Sequence, residues 1–239
     1  SVKPRNGDFL SDETKRELVQ RLKSYAVAGI VPEFIDLKYL YVELKVNPYY
    51  NPSLNDDQEN LKTGVSNALT QYSRSIDVNK FGGRFKYSKA VSLIDNVDSS
   101  ITSNITLVTI RRNLKAVLGQ FAQYELCYGN MFHTQESSYN IVSTGFTIEG
   151  VTETVYLADE VINRDKGRIF FFTYTEGGTP NIIKKNAGTV DYMHGEILID
   201  TVNILSTVIA NNVVEIQAIP HSNDIVGLRD LYVKFDMSN

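Results

Sequence analysis

The residues of this 239-residue chain whose types suit catalysis or metal binding are three histidines (His133, His194 and His221), a single Cys127, and the carboxylates of Asp56-Asp57 and Asp95-Asn96-Asp98. A zinc site draws His and Cys at short, regular spacings. The three histidines lie far apart, with no second His, Cys or carboxylate cluster at ligand spacing beside any of them. His194 precedes Gly195 in a turn-like stretch and reads as a turn or surface residue. A nucleophilic cysteine needs nearby positive charge to hold its thiolate, and Cys127, between Leu126 and Tyr128, reads instead as a packed thiol. Asp56 and Asp57 open a helical pattern, where the helix dipole favours negative charge. Asp95, Asn96 and Asp98 lack the alternating ligands, the central Gly and the closing Glu of a calcium loop. Gly82-Gly83 is not followed by Gly-Lys-Ser/Thr and reads as a hairpin turn, not a phosphate cradle. These residues give no catalytic group, no metal site and no cofactor site, so the chain reads as a non-enzyme.

Composition narrows the class further. A net charge of −4 and a pI near 5.5 argue against a nucleic-acid partner, which requires clustered cations to displace counterions. Arg111-Arg112 and Lys184-Lys185 are isolated pairs. The longest apolar runs fall well short of the roughly 20 residues of a membrane span, and no membrane association or small-molecule substrate is indicated. A lone cysteine excludes an intrachain disulfide and fits a reducing assembly compartment. The length suits two domains of about 100–150 residues each.

The elements that would position these residues change in character along the chain. Asn6-Gly7-Asp8 forms a turn, after which Ser11 is placed to cap a helix running to about Tyr25–Ala28, with Leu18, Leu22, Tyr25 and Ala26 on one face and Gly29 as the stop. Pro32 begins an extended segment leading to a strand at 38–47. There Leu40, Val42, Leu44 and Val46 alternate with Tyr39, Tyr41, Glu43 and Lys45, giving one buried and one wet face. A long helix beginning near Asn55-Asp56-Asp57 is expected to bury Leu61, Val65, Leu69, Tyr72 and Ile76 against a sheet, and Leu61→Asp or Leu69→Asp should unfold this half. Ser88 is expected to cap a short helix carrying Ala90, Val91, Ile94 and Val97. The strand Ile105–Ile110 slips frame between Leu107 and Val108, which a bulge or burial on both faces would explain.

Beyond about residue 118 the helical period gives way to short β-rich runs punctuated by Glu149-Gly150, Asp165-Lys166-Gly167, Gly177-Gly178-Thr179-Pro180, Asn186-Ala187-Gly188 and His194-Gly195. Candidate strands are 120–128, 143–149, 152–159, 167–175, 181–185, 188–192, 195–200, 213–219 and 230–236. The expected class is α+β: a mixed α/β layer over 1–118, in which a ferredoxin-like split unit fits, followed by a β-rich sandwich or irregular barrel over 119–239.

Several short stretches together resemble a known family. They are Lys3-Pro4-Arg5-Asn6-Gly7, Tyr39-Leu40-Tyr41-Val42 with Tyr49-Tyr50-Asn51-Pro52, Phe85-Lys86-Tyr87-Ser88-Lys89 through Leu93-Ile94-Asp95, and Ser100–Ile105. In the second half they are Ser143-Thr144-Gly145-Phe146, Gly188-Thr189-Val190-Asp191-Tyr192, and Asn223-Asp224-Ile225 near Arg229. In this combination the chain is similar to the baseplate wedge family of T-even-type contractile phages, the gene product six type, itself related to baseplate J proteins. The resemblance covers most of the chain. It departs at Met193-His194-Gly195, where the family usually has Thr-Gly after Asp-Tyr.

The resemblance implies a structural subunit of the virion tail baseplate, assembled in the host cytoplasm. Copies would pair as homodimers, join other baseplate wedge proteins in a ring around the central hub, and rearrange when the sheath contracts. Family members are longer at the amino terminus, so a chain starting at Ser1-Val2-Lys3-Pro4 is expected to be the carboxy-terminal portion. No catalytic residue is implied. On the wet face of the first strand, Tyr39 and Tyr41 are expected to be exposed and are the candidate interface anchors, since Tyr is enriched at binding hot spots; cover by the chain's own helix is the competing reading. An alternative function is a carbohydrate- or receptor-binding module of a tail or surface protein, with Tyr139 or Tyr174 presented on loops. A hydrolase is the third option, disfavoured because no His and carboxylate set converges.

Overall fold

The structure, a computed structural model, describes residues 12–25, 38–78, 80–228 and 231–236. The turn expected at Asn6-Gly7-Asp8, the cap at Ser11, the stop at Gly29, the extended segment from Pro32 and Arg229 all lie outside the described residues. The chain forms two units, residues 1–38 and 39–239. In the first, α1 (Asp12–Lys23) ends two residues before Tyr25, and both Leu22 and Tyr25 are exposed.

The second unit begins β1 (Lys38–Tyr50), α2 (Gln58–Ser73), β2 (Arg84–Phe85), α3 (Tyr87–Asp95) and β3 (Ile101–Lys115). There follow β4 (Phe121–Cys127), β5 (Ile141–Ser143), β6 (Phe146–Ile148), β7 (Tyr156–Val161) and β8 (Lys166–Tyr174). The chain closes with β9 (Pro180–Asp191), β10 (Glu196–Thr207), β11 (Val213–Ala218), β12 (Ile225–Val226) and β13 (Leu231–Asp236). Eleven of these strands form one sheet in the order β13-β1-β3-β11-β5-β7-β8-β9-β10-β4, with β6 on β10, and β2 pairs with β12 in a separate ribbon. The α+β class expected from the sequence holds. β1 and β3 are antiparallel neighbours, as in a split ferredoxin-like unit, but β2 leaves the sheet to pair with β12 and does not complete one. Strands from both sides of residue 118 share one sheet, because β11 pairs along β3 from Val213↔Lys115 to Ala218↔Ile110.

Local chemistry explains the helices. The Asp57 side chain accepts the Asn60 amide at 2.9 Å, satisfying one orphan donor of α2. Leu61, Val65, Leu69 and Tyr72 are buried as their spacing requires. Ile76, expected on the same face, is exposed. The helix ends before it, where the Arg74 amide is shared between the Thr70 and Gln71 carbonyls and the Ser73 hydroxyl bonds Thr70. For α3, the N-cap is Lys86 and not Ser88. The orphan Tyr87 amide is satisfied from far along the chain, by Asp224 Oδ1 at 2.8 Å.

The frame slip in β3 needs no bulge. Its register with β1 runs unbroken through Leu44↔Val108 and Lys45↔Leu107. Thr106, Val108 and Ile110 face inward while Leu107 faces outward and is 56% exposed. Leu40, Val42, Val108 and Ile110 belong to one buried cluster with the α2 residues and with Leu157, Ile169, Phe171, Ile197 and Ile216 of the later strands.

Candidate interface surface

The outer side of the β1–β3–β11 sheet is where the wet face of the first strand was expected, and it is graded along its length. At one end it is buried and ionic. Register places Tyr41 opposite Arg111, Glu43 opposite Thr109, and Gln217 opposite Arg111. Arg111 Nε donates to Glu43 Oε1 at 2.5 Å, its Nη1 donates to Glu215 and to Asn113 Oδ1, and the Gln217 amide donates to Glu43. The guanidinium also lies 4.4 Å from the centre of the Tyr41 ring, a cation–π contact. Glu43 and Arg111 are both buried, and a buried charge pair of this kind holds only with such additional hydrogen bonds.

The expectation that Tyr39 is exposed fails. It is 6% exposed, because β13 joins β1 at the sheet edge and sets Tyr232 at 6.0 Å edge-on to it. Tyr41 is half-buried, and Lys234 reaches over both rings, at 5.7 and 5.9 Å.

Toward the other end the same face opens. Lys45 stands opposite Leu107, Asn47 opposite Ile105 and Tyr49 opposite Ser103. Ile105, Leu107 and Tyr49 are all exposed by about half, so an apolar strip with polar flanks lies on the sheet surface. Residues of this kind, aromatic and aliphatic within a polar surround, suit protein contact. The signal for this strip was present in the sequence as the slip of frame in β3.

The other candidate chemical groups are placed apart. Among the described residues no group of three His, Cys, Asp or Glu side chains is arranged to hold a metal ion. Asp98 accepts the Ser100 amide and the Asn55 side chain, which pull its carboxyl below the ordinary range, and Asp95 accepts from Asn104. The Cys127 thiol is pushed up by burial, with Glu196 nearby, and stays protonated. His194 bonds Asp191 within the β9–β10 turn.

Residues 38–113, the stretch from β1 through most of β3, match the family model described as "Baseplate structural protein gp6, C-terminal domain III". The chain is also 24% identical over 171 residues to the "Baseplate wedge protein gp6" of Enterobacteria phage T4, a match covering 70% of this chain and 24% of that protein. The chain thus spans about a quarter of the length of this curated relative. The graded β1–β3 face lies inside the matched domain. Both likenesses bear out the resemblance read from the sequence: the chain is similar to the gp6-type baseplate wedge proteins, and its β1–β3 segment matches the model of their C-terminal domain III.

Proposed function

We propose that this chain is a non-enzymatic structural subunit of a phage tail baseplate wedge. In this reading it pairs with a second copy and with neighbouring wedge proteins to build the ring around the central hub that rearranges on sheath contraction, and it assembles in the host cytoplasm before joining the virion tail. The observation that carries the reading is the coincidence of the gp6 domain III match with a helix-backed sheet bearing an apolar strip on its open face. A rigid sheet with such a strip can dock and move as one body, while stable contacts need about 1,200 Å² or more of buried surface, so the strip would form only part of the contact. The half-buried Tyr41 extends the strip toward the ionic end; Tyr39, next along the same face, would anchor that end beneath Tyr232 and Lys234.

The test is sedimentation and native mass measurement of the protein alone and mixed with the neighbouring wedge proteins. The wild type should form a dimer or a mixed complex. Leu107→Glu and Ile105→Glu should keep a native circular dichroism spectrum and weaken that assembly at least tenfold, because both side chains already face solvent. A wild-type protein that stays monomeric with every partner would overturn the proposal.

A further inference from the structure

The outer side of the β7–β8–β9 sheet carries apolar side chains that the main core does not use. Leu157, Ile169 and Phe171 enter the main cluster, whereas the alternating residues Ala158, Phe170 and Phe172 form a separate one with Tyr156 packed against it. Register sets Tyr156 opposite Phe172 and Ala158 opposite Phe170, and Ile182 flanks Phe172 from β9. Tyr139, from the loop before β5, stands 5.5 Å from Phe170 at 64°, and Tyr174 stands 5.2 Å from Phe172. Tyr139 and Tyr174 thus border one aromatic cluster, and both remain about half exposed. Beside Tyr139 lies a groove of about 690 Å³ walled by Tyr139, Phe170, Ile182, Glu136, Ser137 and Lys185, a volume within the roughly 300–1,000 Å³ of small-ligand sites.

The groove carries no excess of positive charge: its walls hold Glu136, Asp159 and Glu160 against Lys185. Asp159 on its wall is occupied by four donors from the protein itself. Glu160 is held by Arg168 at 2.8 Å, a hydrogen bond that keeps its carboxyl below the ordinary range. Glu136 and Lys185 are opposite in sign. With no excess of cations, phosphates and nucleic acids are disfavoured. What fits is a neutral ligand with one apolar face and a hydroxyl-rich edge. The negative face of an aromatic ring attracts the C–H bonds of such a face. Ser137 Oγ already accepts from Gln135 Nε2 at 3.0 Å, which turns its own proton toward another acceptor.

We propose that this groove binds a neutral saccharide, with one sugar ring stacked on Tyr139 and its hydroxyls bonded by Glu136, Ser137 and Lys185. The site is independent of the wedge assembly reading and rests on other strands of the sheet, β7 to β9 and not β1 and β3.

The experiment screens the whole protein against maltohexaose, cellohexaose, chitohexaose and mannohexaose by calorimetry and by tyrosine fluorescence, which is unobscured because the chain contains no Trp. At least one sugar should bind, with affinity falling about tenfold in Tyr139→Ala and staying within about twofold in Tyr139→Phe, which keeps the ring. Ser137→Ala and Lys185→Gln, on exposed side chains, should each weaken binding without unfolding and serve if Tyr139→Ala proves unstable. No binding of any of the four sugars at millimolar concentration overturns the proposal. So does binding indifferent to all these variants, or cross-linking of a neighbouring wedge protein through Tyr139, which would make the groove a protein contact.

Discussion

The hydroxyl of Tyr192 donates to Asp159 Oδ2 across 2.7 Å, in a shell where Asp159 also accepts the backbone amides of Asn140 and Ile141 at 2.7 and 2.8 Å and the Asn140 side-chain amide at 3.1 Å. One carboxylate on β7 therefore ties the loop before β5 to the end of β9. Burial first, and then the Asp159 carboxylate, push the Tyr192 phenol up, which keeps it a donor. A Cβ at Gly167 would sit 2.4 Å from the Tyr192 hydroxyl, so this position must be glycine for the ring to approach.

Asp159→Ala should be among the most destabilising changes in the chain. It strands four buried donors, each costing about 1–3 kcal/mol when unsatisfied, so a total loss of about 3–5 kcal/mol is expected after local relaxation. Tyr192→Phe removes one bond and should cost about 1–2 kcal/mol. Urea unfolding monitored by circular dichroism would check the ranking. Equal losses for the two variants would mean that the carboxylate is not the organising group.

A different outcome follows at the ionic end of the β1–β3 face. Arg111→Ala leaves Glu43 and Glu215 facing each other without their shared cation, in a site that excludes solvent from Glu43. Removing one partner of a buried ionic set costs about 3–5 kcal/mol. The triple change Arg111→Met, Glu43→Leu and Glu215→Leu should recover most of that loss, because apolar replacements of a whole buried set are often neutral. Chemical denaturation of the three proteins gives the comparison; a triple variant no more stable than Arg111→Ala would refute the account.

The β9–β10 turn makes a pH-dependent contribution whose sign is fixed by its hydrogen bonds. Asp191 Oδ2 lies 3.0 Å from His194 Nδ1, and this bond, followed by the carboxylate's charge, raises the imidazole above its ordinary 6.5. A raised folded value means the contribution is complete below 6.5 and is lost as pH rises through the raised midpoint. Asp191 is lowered by the His194 amide first and the ring second, so its contribution is present above the ordinary 3.8 and is lost as pH falls through the depressed midpoint. NMR titration should place the His194 midpoint above the ordinary 6.5, and Asp191→Asn should bring it down. An unchanged midpoint in Asp191→Asn would remove the carboxylate as the cause.

Much of this was legible from local pattern, and the failures share one physical origin. The spacing of Leu61, Val65, Leu69 and Tyr72 gave the face of α2, and the alternation in β1 gave its two faces. Alternation reports that a strand has two sides; it is silent on what lies over each. Tyr39 is buried because β13, nearly two hundred residues later, supplies Tyr232 and Lys234. Asp224 satisfies the first amide of α3 from 137 residues away, so Ser88 was not needed for that role. β9 read as two strands because Asn186-Ala187-Gly188 carries turn-type residues; in the structure its register with β8 shifts on both sides of Phe171 and the strand runs on unbroken. Of the candidate surface residues, Tyr41 remains half-buried on the proposed face, while Leu107 was noticed only as an irregularity. An apolar residue out of phase on a strand was the trace of the open strip.

The continuity of the core makes a last prediction sharper than the sequence alone allowed. Leu69 is 3% exposed in α2, and its cluster runs through Val108 and Ile110 of β3 to Ile216 of β11 and Phe171 of β8 without interruption. Burying a carboxylate there in Leu69→Asp combines the loss of about 1.5–3 kcal/mol of apolar burial with the cost of an unpaired charge. The expected result is loss of the whole 39–239 unit in one transition, including amides of β7 to β10 that α2 does not touch. Hydrogen exchange on the milder Leu69→Ala variant would show this as a uniform drop of protection across those strands. Protection lost only between residues 38 and 118, with β7 to β10 unchanged, would mean that the two halves fold as separate units despite sharing one sheet.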